Sequence, residues 1–162
     1  GMDDFSTVRT VRWDDGAVVM IDQIKLPGRF MYVKCSSHLE VADAISRMVV
    51  RGAPVIGVSA AMGLALAAVK SKASSKEDLI RDLKAAGELL KRTRPTAVNL
   101  SWAVERVLSK SASIDGGVEE VRMAVVDEAK LMAEEDVEAN KTLGRYGSAL
   151  IDDGDVVLTH CR

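Results

Sequence analysis

Aromatic residues are scarce: two Phe, two Trp and two Tyr, 4% of 162 residues. So few rings leave little platform for stacking nucleic-acid bases, and the core must be filled by Ala, Val, Leu and Met. Cysteine is nearly absent as well. Cys35 and Cys161 lie far apart and are accompanied only by His38 and His160. That excludes a disulfide framework and is too thin for a structural zinc site, so neither metal nor cofactor is expected. An excess of one charge is also missing: 22 Lys and Arg stand against 24 Asp and Glu, a net charge of -2. No field is strong enough to draw direct nucleic-acid binding or an anionic membrane, and any anion site must be local. The uncharged run from Pro54 to Val69 is shorter than the roughly 20 residues of a membrane span. It is rich in Ala and Gly and reads as a buried helix.

Hydrophobic residues make up 48% of the chain, enough for one domain with a real core rather than a disordered segment. The cysteine usage, and the lack of a charged-then-apolar opening segment, lead us to expect a cytoplasmic protein.

The first part of the chain reads as strands. Val8 to Trp13 and Ala17 to Ile21 flank Asp14-Asp15-Gly16, a hairpin turn in which Gly supplies positive φ. Phe30 to Lys34 follows the Pro27-Gly28 turn, completing an antiparallel meander over residues 1–36. From Ser37 the apolar period lengthens. Val41, Ala42, Ile45, Met48 and Val49 form a helical stripe, with Ser36 or Ser37 as cap and an end near Arg51-Gly52. Pro54 suits the first turn of the next helix, where a missing N–H costs nothing. Leu79, Leu83, Ala86 and Leu90 mark a third helix; Leu100, Ala103, Val104, Val107 and Leu108 mark a fourth after Arg94-Pro95-Thr96.

A longer helix follows Gly116-Gly117, carrying Val118, Val121, Val125, Ala129 and Met132 on one side. Its acidic run Glu134, Glu135, Asp136 and Glu138 reads as a solvated face. Gly144 to Ile151 is either the tail of this helix or a short helix of its own. The pattern therefore predicts a mainly α, α+β fold: meander, then a helical bundle over residues 37–152, together one N-terminal domain. Residues 153–162 contain the apolar run Val156 to Leu158, typical of a strand buried in a parallel sheet. That segment reads as the first strand of an α/β domain whose remainder the chain lacks.

Two helix starts carry arginine, at Arg51-Gly52-Ala53-Pro54 and at Arg94-Pro95-Thr96. The free N–H groups of a first helical turn attract anions, and Arg adds a planar fork suited to phosphate. Gly52 lets backbone approach a ligand closely. Together these features describe a phosphate cradle; the same residues also fit a surface arginine, a helix C-cap and an ordinary first-turn proline. Cys161 on this evidence is equally a small buried hydrophobe.

The stretches "MVVRGAPVIGVSAAMGLALA", "RPTAVNLSWAVERV", "NKTLGRYGSALI" and "VVLTHC", in this order, resemble the methylthioribose-1-phosphate isomerase family. That family is grouped with the alpha, beta and delta subunits of translation initiation factor 2B and with archaeal ribose-1,5-bisphosphate isomerase. The resemblance implies an N-terminal meander-and-bundle domain followed by a Rossmann-like domain. It also implies isomerisation of an aldose 1-phosphate to the 1-phosphoketose in methionine salvage. By motif match it makes Arg51, Gly52, Ala53 and Arg94 substrate-binding residues and Cys161 the catalytic cysteine. The partner aspartate belongs to the second domain, so this chain is expected to hold half a sugar-phosphate site and to be inactive alone. A non-catalytic initiation factor 2B-like regulator and a ribose-1,5-bisphosphate isomerase fragment are the alternatives. An apolar interdomain face left uncovered, and unpaired edges at Val156 to Leu158, lead us to expect a homodimer.

Overall fold

The computed structural model describes residues 11–22, 31–47 and 53–147. Within them the meander forms around the predicted hairpin. Asp15 and Gly16 both take positive φ, 46° and 81°, as a two-residue turn matching the twist of its strands requires. Asp14 N–H donates to the Ala17 carbonyl at 2.8 Å, and Ala17 N–H donates back at 3.1 Å. The turn joins β1 (Val11–Trp13) to β2 (Val18–Asp22), which pairs antiparallel with β3 (Met31–Cys35). The register pairs Val11 with Met20 and Val18 with Cys35. Val11, Val18, Met20 and Cys35 thereby share one face, which is buried. On the opposite face Arg12 lies over the exposed Tyr32 ring, 5.7 Å from its centroid. Burial and the nearby Glu40 carboxylate push the Cys35 thiol up to about 11, as expected of an inert core cysteine.

Five helices follow. α1 (His38–Ser46) is started by Ser37, whose hydroxyl accepts from Glu40 N–H at 3.2 Å. The Glu40 carboxylate reaches back to Ser36 N–H at 2.7 Å, a reciprocal cap. The expected helix to Arg51-Gly52 ends earlier: Arg47 leaves helical geometry and turns its N–H onto the Asp43 and Ile45 carbonyls. The last members of the predicted stripe, Met48 and Val49, lie outside the described residues, as do Arg51 and Gly52.

α2 (Ala53–Lys70) is the central helix, packed against all four others. It is buried from Ile56 to Ala68, which is why it is apolar on every side rather than striped. α3 (Lys76–Thr93) is the amphipathic counterpart, with only Leu79, Leu83, Ala86, Gly87 and Leu90 buried. α4 (Val98–Ser113) and α5 (Val118–Gly147) complete the bundle. α5 includes Gly144 to Gly147, so the described part of the 144–151 segment is its tail. Strands and helices share a single core joining Val18 and Met20 to Leu64, Leu83, Val104 and Val125. The fold is mainly helical with a small antiparallel sheet, as expected; the predicted strand at Val156 to Leu158 lies outside the described residues. No described helix is long and apolar enough to cross a membrane.

Candidate functional site at the starts of α2 and α4

α4 begins differently from α1 and α3. Arg94 ends α3 by leaving helical geometry (φ -146°, ψ 78°), and Ala97 N–H closes a turn onto the Arg94 carbonyl at 2.9 Å. Pro95 occupies the second position of that turn, where its fixed φ is favourable. The helix then starts from Ala97, which has no side chain able to cap it, and its first turn carries no acidic residue. The first N–H groups of α4 are left for water or a ligand. Arg94 is half-buried, and among the described residues its guanidinium has no ion-pair partner.

Gly57, one turn into α2, brings that open start against the start of α2. A methyl group built on Gly57 would stand 3.2 Å from the Asn99 carbonyl oxygen and 3.6 Å from Ala103 Cβ. That is tighter than ordinary packing, so a side chain here would push the first turn of α4 away by a few tenths of an ångström, and glycine lets it lie this close to α2. Ala53 opens α2 and Pro54 follows in its first turn, exposed.

Beside this contact lies a cavity of about 520 Å³, within the usual range for small-molecule sites. Among the described residues it is lined by Pro54, Gly57 and Val58 of α2, by Val98, Asn99, Trp102 and Arg106 of α4, and by Met132, Glu135 and Asp136 of α5. Trp102 is 58% exposed and Val98 77%. Arg106 stacks on Trp102, 5.5 Å from the ring centroid. Its fork binds both Glu135 oxygens, at 2.7 and 2.9 Å, and its Nε donates to Glu128 at 2.6 Å. This planar, bidentate pairing fixes Arg106 and holds the Glu135 carboxyl below the usual range. Asp136 is the opposite case. It is half-buried, no described cation pairs with it, and burial raises its pKa.

The predicted site residues therefore divide. Arg94 stands immediately before the uncapped start of α4, and Ala53 opens α2. Arg51, Gly52 and Cys161 lie outside the described residues. Within the acidic run, read as a solvated face, Glu134, Glu135 and Glu138 are exposed, whereas Asp136 is half-buried and lines the cavity; Glu135 also lines it and is bound to Arg106. Trp102, Arg106, Glu135 and Asp136 were missed by motif reasoning. One available signal was Trp102 itself, a rare ring beside the Leu100–Ala103 stripe in a chain poor in aromatics. No group of three or more described His, Cys, Asp or Glu side chains is placed to hold a metal.

Comparison with known proteins places this geometry in a family. The sequence pattern of the initiation factor 2 subunit family matches residues 49–162. The methylthioribose-1-phosphate isomerase of Acetivibrio thermocellus is 43% identical over 155 residues, 95% of this chain and 45% of that protein. The Geobacter metallireducens protein of the same name is 47% identical over 154 residues, 94% of this chain and 44% of its own length. Among solved structures, 5-methylthioribose 1-phosphate isomerase from Pyrococcus horikoshii superposes with a TM-score of 0.84 at 43% identity. That match covers 91% of this chain and 42% of the solved one. The translation initiation factor eIF-2B subunit delta from A. fulgidus superposes with a TM-score of 0.82 at 42% identity, over 90% of this chain and 42% of its own. The chain thus spans less than half the length of these relatives. With the pattern covering most of its residues and its fold shared with both solved structures, the chain belongs to the initiation factor 2 subunit family.

Proposed function

We propose that the chain is the N-terminal domain of a sugar 1-phosphate isomerase, and that the starts of α2 and α4 form its phosphate grip. The reaction is conversion of 5-methylthioribose 1-phosphate to 5-methylthioribulose 1-phosphate, as in methionine salvage. The observation that carries the reading is the uncapped start of α4 with the half-buried Arg94 before it, packed through Gly57 against the start of α2. An aldose whose anomeric oxygen is esterified cannot open its ring freely, so the phosphate must be held while hydrogen moves from C2 to C1. That movement needs an acid and a base at short range, or a hydride shift in a dry site with one proton donor. Cys161 supplies the thiol for either scheme, and Arg51, Gly52, Ala53 and Arg94 hold the substrate. No cofactor is needed. The protein acts in the cytoplasm as a homodimer.

Because the relatives are more than twice as long, the 162-residue chain alone is expected to bind substrate without turning it over. Titration with ribose 1-phosphate followed by ³¹P NMR tests the grip. The native chain should shift and broaden the phosphate signal. Arg94→Met should weaken binding about tenfold or more, the loss of one charge-assisted contact, with the helical circular dichroism signal unchanged. Equal binding by both chains would refute the grip. Turnover by the native chain at rates of about 1 s⁻¹ or more would refute its dependence on further sequence. The second reading, a non-catalytic regulatory subunit, is favoured by the superposition on the initiation factor delta subunit. Retained sugar-phosphate binding, but no turnover by the chain together with whatever sequence follows it in the genome, would decide for it. Light scattering across a wide concentration range tests the homodimer.

A further inference from the structure

We infer that the exposed face of α5 is a dimer interface, on which a second copy of this chain packs antiparallel so that Lys130 of each copy meets Asp127 of the other. The inference rests on the homodimer proposed above and says where it forms; it does not depend on the phosphate grip.

Val121, Val125, Ala129 and Met132 bury one side of α5. On the opposite side Met123, Asp127, Lys130 and Leu131 are exposed, at intervals of three and four residues that keep them in line along the helix. Two of these are large hydrophobics, Met123 at 65% and Leu131 at 48% exposure, and Val69 near the end of α2 adds a third at 42%. Beside the line lies a groove of about 520 Å³, lined by Val69, Met123, Val126, Glu119, Arg122 and Asp127. Its cation is already engaged: Arg122 donates to the Ala68, Ser71 and Ala73 carbonyls and to Glu119. Asp127 has no ion-pair partner among the described residues. An apolar lining with an uncompensated carboxylate suits a long aliphatic side chain that ends in a cation.

Lys130 is such a side chain, and this face carries it. It is exposed and, although Asp127 is only three positions away, pairs with no acid among the described residues. A two-fold axis crossing α5 midway between positions 128 and 129 brings Lys130 of each copy level with Asp127 of the other, making two identical pairs. The Lys130 methylenes then lie beside Val126 of the facing copy. Met123 comes within one helical turn of Leu131 of that copy, about 4.5 Å along the axis at 1.5 Å per residue. A register that set Asp127 against Asp127 would oppose like charges, so the charges select this one. One helix face is small beside the roughly 800 Å² per partner of a standard interface. The dimer is therefore expected to be weak and concentration-dependent.

Sedimentation velocity of the 162-residue chain across a wide concentration range tests this. The native chain should dimerise. Asp127→Lys and Lys130→Glu should each weaken the dimer about tenfold or more, by turning two attractions into two repulsions, with circular dichroism unchanged because both positions are exposed. An equimolar mixture of the two variants should recover the dimer as a heterodimer, since each supplies the charge that the other lacks. A dimer unchanged by both reversals, or a mixture no more dimeric than its components, would overturn this interface and leave the homodimer standing. A native chain that stays monomeric throughout would overturn the homodimer and this interface with it.

Discussion

The starts of α3 and α4 lie about twenty residues apart, yet one is sealed and the other open. Ser75 caps α3 by accepting from Asp78 N–H at 3.1 Å, and Glu77 and Asp78 in its first turn complement the helix dipole. α4 has neither device. A similar contrast marks the far end of α2, where Arg122 binds the Ala68, Ser71 and Ala73 carbonyls and closes the helix with a cation from α5. Helix ends that serve only the fold are satisfied by the chain itself. The start of α4, left uncapped beside a cavity and a half-buried arginine, is the end we propose holds the substrate.

That contrast can be broken most severely at Arg122. Its side chain is 14% exposed, unlike the solvated Arg47–Asp43 and Arg81–Asp78 pairs, which contribute little. Arg122→Ala should destabilise the chain by about 3 kcal/mol, because partly buried carbonyls lose a charged donor. Urea unfolding measures this, and ribose 1-phosphate affinity should stay within error. Next is Gly57→Val. Its branched side chain would press on the Asn99 backbone and force the start of α4 away, costing about 2 kcal/mol as an overpacked contact. Unlike Arg122→Ala, it should also abolish phosphate binding. A Gly57→Val chain that binds normally would show that the closeness of the two starts does not matter. Ser75→Ala should cost about 1 kcal/mol, the value of one N-cap, again with binding intact.

The smallest effect is a pH dependence. Glu135 has its pKa lowered chiefly by its hydrogen bond to Arg106. Its contribution is present above the ordinary carboxylate value and disappears as pH falls through the lowered folded value. The side chain is 51% exposed, so solvent screens the pair to under about 1 kcal/mol. The stability difference between native and Glu135→Gln chains should shrink as pH drops below 4. Asp136 works in the other direction. Burial raises its pKa above the ordinary carboxylate value, so ionisation costs stability, and Asp136→Asn should gain on the native chain as pH rises from the ordinary value through the raised one. Unfolding curves at several pH values separate the two slopes.

Much of the fold was legible because the chain obeys local rules. The Asp15-Gly16 turn, the Ser37 cap and the stripes of α3 and α4 each follow from residues within a few positions of one another. The end of α1 was placed too late because Met48 and Val49 continue its apolar period. Periodicity reports burial, whereas Arg47 breaks the helix through its backbone. The site was legible only at its entrance. Arg94-Pro95-Thr96 announces an arginine before a helix start, but nothing local says that Gly57 will receive Asn99. The acidic run shows how neighbouring carboxylates divide: Glu134 and Glu138 are exposed, and between them Glu135 and Asp136 line the cavity.

The sequence by itself determined the element order, the cores of four amphipathic or apolar helices and the two candidate helix starts, because each depends on period and on residues adjacent in the chain. Tertiary structure decided that the starts of α2 and α4 meet. It also decided that Arg106 is spent on Glu135, and that Asp136 and Trp102 line the space between helices. The physical reason is that a helical stripe specifies which face is buried but not which helix it meets. The cavity belongs to three helices at once and to no single stretch of sequence.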